Sequence, residues 1–283
     1  MSPRHPFRLL ALLLTAALVF AACGDSNDGG EETGSGSGAG TEEAAADVED
    51  LVDEGKLTVC SDIPYAPFEF EDGGEVKGVD VDLMKGIAGE LGLEAEFRDT
   101  DFDGIFAALA AGNCDVIASS VSITDERKEA NNFTAGYFEI QQSLLVRKGD
   151  ETKYRDLASL KDKVIGVQSE TTGAAYAEEE CETAGCEVKE FTGADELFTA
   201  LKAKQIDGVL QDFPINAYNA DTTGDSVVST TFEAEEPEQY GFVVPKDKPK
   251  LLAAIDAALE GLRESGEYDK ILEEYLGEAA TKS

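Results

Sequence analysis

Short apolar runs alternate with segments that carry apolar residues on one side only, and this alternation fills the chain beyond residue 46. The runs LTVC and EAEFRD have the pattern of strands. Between them, apolar residues recur at helical spacing, which predicts a helix with one buried side: Val81, Met84, Ile87, Ala88 and Leu91. A second helix is predicted in GIFAALAAG, ended by Gly112, and the buried strand DVIASS follows it. The first part of the chain therefore has the predicted order β-α-β-α-β.

The second part repeats the alternation after NFTAGYFEIQQSLLVRKG. Strands are predicted in VIGVQ, VKEF and DGVLQD, and helices in GAAYAEEECETAG and ADELFTALKAKQ. Two α/β units follow from this order. The stretch from Pro249 to Gly277 is helical by pattern and has no strand of its own to cover. It is compatible with a return to the first unit and also with two units in a row.

The first 22 residues have the order of an export signal. Arg4 and Arg8 precede the apolar run LLALLLTAALVFAA, which is shorter than the roughly 20 residues that a membrane span needs. No later stretch is apolar enough to span a membrane. We therefore expect a signal peptide at residues 1–22 and a protein located outside the cytoplasm.

The residues around Cys23 are similar to a bacterial lipobox, in which the cysteine is lipidated after export. Ala21 and Ala22 fit this pattern, whereas Phe20 stands where leucine is usual, so ordinary cleavage and release is the alternative. Residues 23–46 are rich in Gly, Ser and Glu and are predicted to form a flexible tether. A tether directly after Cys23 favours a protein anchored to the outer face of the cytoplasmic membrane.

The acidic composition excludes several kinds of partner. The formal net charge is −36, and the signal carries two of the arginines, so the exported part is still more acidic. Such a surface repels phosphate backbones and anionic headgroups, which excludes nucleic acid and direct contact with a lipid surface. Cationic and zwitterionic ligands are compatible with it.

The histidine and cysteine content limits the chemistry further. His5 lies in the signal, so the exported part has no histidine for Ser-His-Asp or Cys-His catalysis, and we expect no metal site and no cofactor. After Cys23 there remain Cys60, Cys114, Cys181 and Cys186, an even number that favours disulfides outside the cytoplasm. Cys181 and Cys186 would close a small loop and leave Cys60 to Cys114, although the sequence alone does not establish this connectivity.

Seven segments in register resemble the family-3 solute-binding proteins of polar amino acid ABC importers, which include glutamine-, arginine- and lysine-binding members. These segments are SDIPYAPFEF, GVDVDLMKGIAGELG, TDFDGIFAALAAGNCDVIASSVSITDERKEANNFTAGY, VIGVQSETTG, DGVLQDFPINAY, QYGFVVPK and GEYDKILEEYLG. The resemblance implies an α/β, periplasmic-binding-protein-like type II fold with two α/β lobes joined by two crossing strands. We expect the first lobe at residues 47–138 and 240–283, and the second at 139–239.

The resemblance also assigns the groups that would hold the backbone of an amino acid. Arg127 would clamp the carboxylate with its planar guanidinium, with Ser120 and Ser122 beside it. A local ion pair of Arg127 with Glu126 or Glu129 is the alternative, and Ser122 with Asp125 fits a helix-capping pattern. Thr172 would hold the carboxylate from the second lobe, with a helix N-cap as a compatible role. Asp212 would be the counter-ion of the ammonium, its alternative being a turn residue before Pro214.

Four further positions would enclose the ligand side chain. By resemblance, Tyr65 and Phe102 form a flat aromatic slot, and Asp62 and Gln168 contact the distal end. Asp62 slightly favours a cationic side chain such as that of arginine or lysine, with glutamine next.

The expected function is that of an extracytoplasmic, monomeric substrate-binding lipoprotein that delivers a polar L-amino acid to the permease subunits of an ABC importer. An enzyme similar to cyclohexadienyl dehydratase on the same fold is the rival, for which Glu69 and Glu139 could supply an acid or base. Neither has an identifiable partner in the sequence, so we expect no enzyme. A receptor sensor domain and a lytic transglycosylase are not expected either, because the sequence shows no signalling or further catalytic segment.

Overall fold

The computed structural model describes residues 48–232 and 237–277. The first elements in chain order are β1 (Lys56–Ser61), β2 (Phe70–Asp72), β3 (Glu75–Lys77), α1 (Val79–Glu90), β4 (Glu94–Asp99), α2 (Phe102–Ala110), β5 (Val116–Ile117), α3 (Asp125–Ala130), β6 (Asn131–Phe133) and β7 (Phe138–Ile140). The predicted signal, the tether and Cys23 lie outside the described residues.

The remaining elements follow β7 in the chain. They are β8 (Gln142–Arg147), a 3-10 helix (Leu157–Leu160), β9 (Val164–Gln168), α4 (Thr172–Ala184), β10 (Glu187–Phe191), α5 (Ala194–Lys202), β11 (Gly208–Asp212), α6 (Phe213–Thr223), β12 (Ser226–Phe232), β13 (Glu238–Tyr240), β14 (Val243–Pro245), α7 (Pro249–Ser265) and α8 (Glu267–Leu276). Among the described residues, no helix is long and apolar enough to cross a bilayer.

Two mixed sheets form the cores of two lobes, as the resemblance implies. The first sheet has the order β4-β1-β5-β14-β6, in which β1 is parallel to β4 and β5 while β14 is antiparallel to β5 and β6. The second has the order β10-β9-β11-β8-β12, in which β9 is parallel to β10 and β11. The chain passes between the sheets through β7 and β13, which pair with each other in antiparallel orientation. The fold is thus the predicted two-lobed α/β type with two crossing strands.

The helix α1 shows how the apolar pattern produces the packing. Its buried side chains include Leu83, Met84 and Ile87, which recur at helical spacing and lie in the same hydrophobic core as the strand residues Leu57 and Val59. The first turn also buries a charged residue, Asp80, which the apolar pattern does not account for.

The C-terminal stretch packs on the first lobe and is divided into two helices. Ile255 and Leu259 of α7 belong to the same hydrophobic core as α1. Gly266 separates α7 from α8 with a φ of 73°, a left-handed conformation that glycine adopts without steric cost. The predicted helical stretch from Pro249 to Gly277 is therefore two helices, α7 and α8.

Both disulfides suggested by the cysteine content are present. Cys60 in β1 is bonded to Cys114 just before β5, with Cα atoms 5.7 Å apart, and Cys181 is bonded to Cys186 at 4.8 Å. Both separations lie in the range that a disulfide requires. The first bond ties together two neighbouring parallel strands whose C-terminal ends face the second lobe.

Candidate functional site

The strand ends of both lobes meet in one narrow cleft. In α/β folds this edge of a sheet is where ligands bind. The cleft is lined by Asp62, Tyr65, Phe102, Ser119, Ser120, Ser122, Arg127, Gln168, Thr171, Thr172 and Asp212. All nine positions that the sequence singled out for ligand contact therefore lie together, joined by Ser119 and Thr171, which it did not.

Asp62 and Gln168 face each other across the cleft. Asp62 follows β1, Gln168 ends β9, and the Gln168 Nε2 group donates a hydrogen bond of 2.6 Å to Asp62 Oδ2. Burial raises the pKa of Asp62 to about 7, the hydrogen bond from Gln168 opposes the rise, and Asp101 and Asp99 add to it. Within the described ranges no lysine or arginine forms an ion pair with this carboxylate, so a cationic group placed beside it would be favoured.

Arg127 presents its guanidinium to the cleft from the first lobe. Its Nη1 donates to the backbone oxygen of Ser122 at 2.9 Å, and its Nη2 donates to the backbone oxygen of Glu170 at 2.8 Å. The group lies over the rings of Phe102 and Phe106, 5.5 and 5.4 Å from their centres. Its pKa is lowered by burial. These contacts fix the direction of the fork without neutralising its charge.

The alternative roles considered for Arg127 and Ser122 are not observed. Among the described residues, Arg127 forms no ion pair within 4.0 Å, so the proposed pair with Glu126 or Glu129 is absent. The N-cap of α3 is Thr124, whose hydroxyl accepts from the Arg127 backbone N–H at 3.2 Å. Ser122 is therefore not the cap, because α3 begins at Asp125 and the residue immediately before it is Thr124, which has extended backbone.

Asp212 ends β11 and accepts hydrogen bonds from three side chains. Gln142 Nε2 donates to Oδ1 at 2.6 Å, and the hydroxyls of Tyr65 and Tyr240 donate to Oδ2, the former at 2.8 Å. Burial raises the pKa of Asp212 to about 6, and the bonds from Tyr240, Tyr65 and Gln142 oppose the rise. Asp212 precedes α6 but makes no side-chain capping bond. The carboxylate is thus oriented toward the cleft and does not serve a turn.

Tyr65 was expected to form a flat wall of the cleft, and its hydroxyl also forms hydrogen bonds. Its hydroxyl reaches Gln211 Oε1 at 2.9 Å as well as Asp212, so the side chain connects the two lobes. Sequence reasoning missed Gln142 and Tyr240, which lie at the start of β8 and the end of β13. Tyr240 belongs to the segment QYGFVVPK, which carried the resemblance without suggesting a role for the tyrosine.

The hydroxyls next to Arg127 come from both lobes. The Thr172 Oγ1 lies 3.5 Å from Ser122 Oγ and 3.4 Å from Gln142 Nε2. The N-cap of α4 is Thr171, which accepts from the Ala174 N–H at 3.0 Å, so the capping role suggested for Thr172 belongs to its neighbour. Thr172 is left with its hydroxyl directed at the cleft. Within the described ranges, no group of three or more His, Cys, Asp or Glu side chains is placed to hold a metal ion.

Comparisons with known proteins identify the family to which the chain is similar. The profile of the bacterial extracellular solute-binding proteins, family 3, matches residues 57–278. A probable histidine-binding protein of Neisseria gonorrhoeae is 32% identical over 95% of this chain and 94% of its own. The ABC transporter glutamine-binding protein GlnH of Bacillus subtilis (strain 168) is 31% identical over 96% of this chain and 97% of its own. The solved structure of an ancestral arginine-binding protein bound to arginine is 36% identical, with a TM-score of 0.74, and covers 79% of this chain and 99% of that one.

Proposed function

Because this chain belongs to the bacterial extracellular solute-binding proteins of family 3, we propose that it captures a polar L-amino acid between its lobes and delivers it to the permease of an ABC importer. The observation that carries the proposal is the set of charges in the cleft. The guanidinium of Arg127, which has no ion-pair partner in the part of the chain that the structure describes, and two buried carboxylates, Asp62 and Asp212, face the same small space. This set is complementary to an amino acid with one carboxylate, one ammonium and a cationic side chain.

The α-carboxylate of the ligand is assigned to Arg127. Its two terminal nitrogens are held by backbone oxygens of the two lobes, so the fork keeps one orientation. A bidentate contact with a carboxylate adds both charge and directional specificity. The hydroxyls of Ser122 and Thr172, together with Ser120, supply further donors around the same oxygens. A ligand held this way touches both lobes through a single group.

The α-ammonium is assigned to Asp212 and the side chain to the space between Tyr65, Phe102 and Asp62. The three hydrogen bonds on Asp212 hold its carboxylate in place before the ligand arrives, which reduces the cost of ordering on binding. Asp62 is buried and forms no ion pair with a lysine or arginine among the residues described, so a guanidinium or ammonium of the ligand would supply the missing charge. We therefore infer that arginine and lysine bind best, and glutamine next.

A thermal-shift screen of the twenty amino acids tests this proposal. A ligand at about 100 times its Kd stabilises the folded state by about 2.7 kcal/mol, so the amino acid with the lowest Kd raises the unfolding temperature most at equal concentration. We expect that amino acid to be arginine or lysine. Agmatine, which lacks the α-carboxylate of arginine, is the matched control and should produce no comparable shift. A shift with glutamine alone would contradict the cationic preference, and no shift with any amino acid would contradict the function.

No enzymatic activity is proposed. The relatives named above are binding proteins. The two residues considered as acid and base of a dehydratase, Glu69 and Glu139, are not placed to act together on one substrate. Glu69 is fully buried beneath the cleft, while Glu139 is exposed on β7 and accepts a hydrogen bond from Gln239. Neither lines the cleft.

The anchor at Cys23 is part of the proposal, supported by the lipobox-like pattern and the polar tether in the sequence. Mass spectrometry of the mature protein from the membrane fraction is expected to find a diacylglyceryl group on Cys23, because a protein that serves a membrane permease gains from being held near it. Cys23→Ala should release the protein into the medium or periplasm, while an Asn27→Ala variant in the tether should stay anchored. An unmodified N-terminus elsewhere in the membrane-bound protein would overturn the anchor.

A further inference from the structure

Two carboxyl groups lie directly beneath the floor of the cleft. Glu69 precedes β2 and Asp80 is in the first turn of α1, and both are 0% exposed. In the described part of the chain, neither forms an ion pair with a lysine or arginine within 4.0 Å. Two buried, uncompensated negative charges so close to a ligand site would be costly, so their protonation matters.

Asp80 has the hydrogen bonds of an ionised carboxylate. Its Oδ2 accepts from the backbone N–H of Ser120 at 2.8 Å, and its Oδ1 accepts from the hydroxyl of Tyr137 at 2.6 Å. Each oxygen therefore has a donor. Burial raises the pKa of Asp80 to about 7, and the bonds from Tyr137 and Ser120 oppose the rise by stabilising the charged form. Asp80 is therefore the member of the pair that carries the charge above that pH.

Glu69 has one donor for two oxygens. The Ser119 hydroxyl donates to Oε1 at 3.3 Å, whereas Oε2 is buried without a hydrogen-bond partner among the described residues. The hydroxyl oxygen of Ser120 is buried without a hydrogen-bond partner in the described ranges as well, although it lies near enough to Glu69 to lower its pKa. A proton on Glu69 Oε2 would remove the charge and create a donor for a nearby hydroxyl, so that it relieves both deficits.

The charged groups around Glu69 disfavour a second negative charge. In addition to burial, the negative charges of Asp80 and Asp62 raise the pKa of Glu69. Besides the effect of burial, a charge on Glu69 would in turn raise the pKa of the Tyr65 and Tyr137 hydroxyls. Burial, then Asp80, then Asp62 raise the pKa of Glu69 well above its ordinary value, and the hydroxyls of Ser119 and Ser120 oppose the rise. No base is among these neighbours.

We propose that Glu69 is a neutral carboxylic acid that, together with ionised Asp80, positions Ser119 and Ser120 at the cleft. The Ser119 hydroxyl held by Glu69 also accepts from the backbone N–H of Asp62 at 2.9 Å, so one chain of bonds runs from Glu69 to Asp62. Ser120 has a φ of 50°, an uncommon conformation for a residue other than glycine, and the bond from its N–H to Asp80 holds it there. The link to ligand contact rests on the proposed function, whereas the protonation state of Glu69 does not.

The proton has a predictable effect on stability. In the unfolded chain Glu69 loses its proton at the ordinary pKa, but in the folded protein it keeps the proton to higher pH. The folded state therefore binds more protons in the window between these values, and its stability falls as the pH rises through that window. Glu69→Gln keeps the shape and a donor without titrating, so this part of the pH dependence should disappear.

Carbon-13 NMR of protein labelled at the glutamate side-chain carboxyl tests the protonation directly and without ligand. One glutamate signal is expected to remain at the position of the acid form at about pH 7, where an ordinary glutamate is ionised. It should vanish in Glu69→Gln and persist in Glu71→Gln, an exposed glutamate close by in the sequence. If every glutamate titrates below about pH 5.5, Glu69 is ionised and the proposal is wrong.

Two further measurements separate positioning from a purely structural role. Asp80→Asn removes the neighbouring charge, so the Glu69 signal should titrate at lower pH, and this holds even if Glu69→Gln does not fold. Calorimetry should show amino-acid affinity in Glu69→Gln within about threefold of the parent and at least about tenfold weaker in folded Glu69→Ala. Equal affinity in the parent and Glu69→Ala would overturn the positioning role. A protonated Glu69 in a protein that binds no amino acid would instead overturn the proposed function.

Discussion

Arg127→Ala is expected to abolish amino-acid binding while the domain stays folded. The substitution removes the cleft guanidinium that we assign to the ligand carboxylate, which would then be buried without a partner. Breaking such a pair typically costs about 3 to 5 kcal/mol, which corresponds to a loss of more than about a hundredfold in affinity. Asp212→Ala should have an effect of the same size through the ammonium. Isothermal calorimetry with the amino acid found in the screen measures both.

Arg155→Ala provides the control for this prediction. Arg155 is an exposed arginine outside the cleft, and its Nε contacts only the nearby backbone oxygen of Thr152. Its loss should leave affinity unchanged. For Asp212 the companion variant is Asp212→Asn, because alanine also leaves the donors of Tyr65, Tyr240 and Gln142 without an acceptor. Binding at parental strength in folded Arg127→Ala would reject the assigned cleft.

Asp62→Asn is expected to weaken arginine and lysine far more than glutamine. A cationic side chain loses its counter-charge, whereas a neutral one loses about one hydrogen bond, worth about 1 kcal/mol. Calorimetry of the variant against arginine, lysine, histidine and glutamine measures this difference. Equal losses for all four ligands would reject the cationic preference and leave the cleft assignment intact.

The same residue should make arginine binding depend on pH. Because the pKa of Asp62 is about 7, a proton competes with the cation as the pH falls through that value. Affinity for arginine should therefore decline below about pH 7, approaching about tenfold per pH unit for one group. Glutamine needs only the charge of Asp212, whose pKa is about 6, so its decline should begin about one unit lower. In Asp62→Asn the arginine profile should shift to that of glutamine, and an unchanged profile would contradict the assignment.

Local patterns in the sequence predicted the helices and strands, whereas the contacts between these elements could not be predicted from the sequence. The period of α1 indicates which residues are buried because each lies a helical turn from the next. By contrast, the bond from Tyr65 to Asp212 joins residues 147 positions apart, and its existence depends on how the two lobes meet. A pattern along the chain contains no information about that distance.

The cap residues illustrate a second limit. Thr171 and Thr172 are identical in side chain, and Ser122 and Thr124 are chemically similar, so composition cannot choose between them. The choice is made by the backbone: the residue with extended dihedrals immediately before the helix becomes the cap. The other hydroxyl of each pair then remains available to the cleft. The buried Asp80 was missed for a related reason, since its compensation comes from Tyr137 and the Ser120 backbone, both distant in sequence.

The placement of Gln142 and Tyr240 has a consequence for protein engineering. Both side chains hold Asp212, and both lie where the chain passes between the lobes, at the points about which the lobes would rotate. If the lobes rotate about these points, a change that alters how Asp212 is held is expected to shift the balance between open and shut conformations, on which apparent affinity would depend. In a fluorescent biosensor built on this scaffold, sensitivity and signal amplitude are consequently linked through these residues. Tuning one without the other requires substitutions at the Asp62 end of the cleft, which lies apart from the crossing strands.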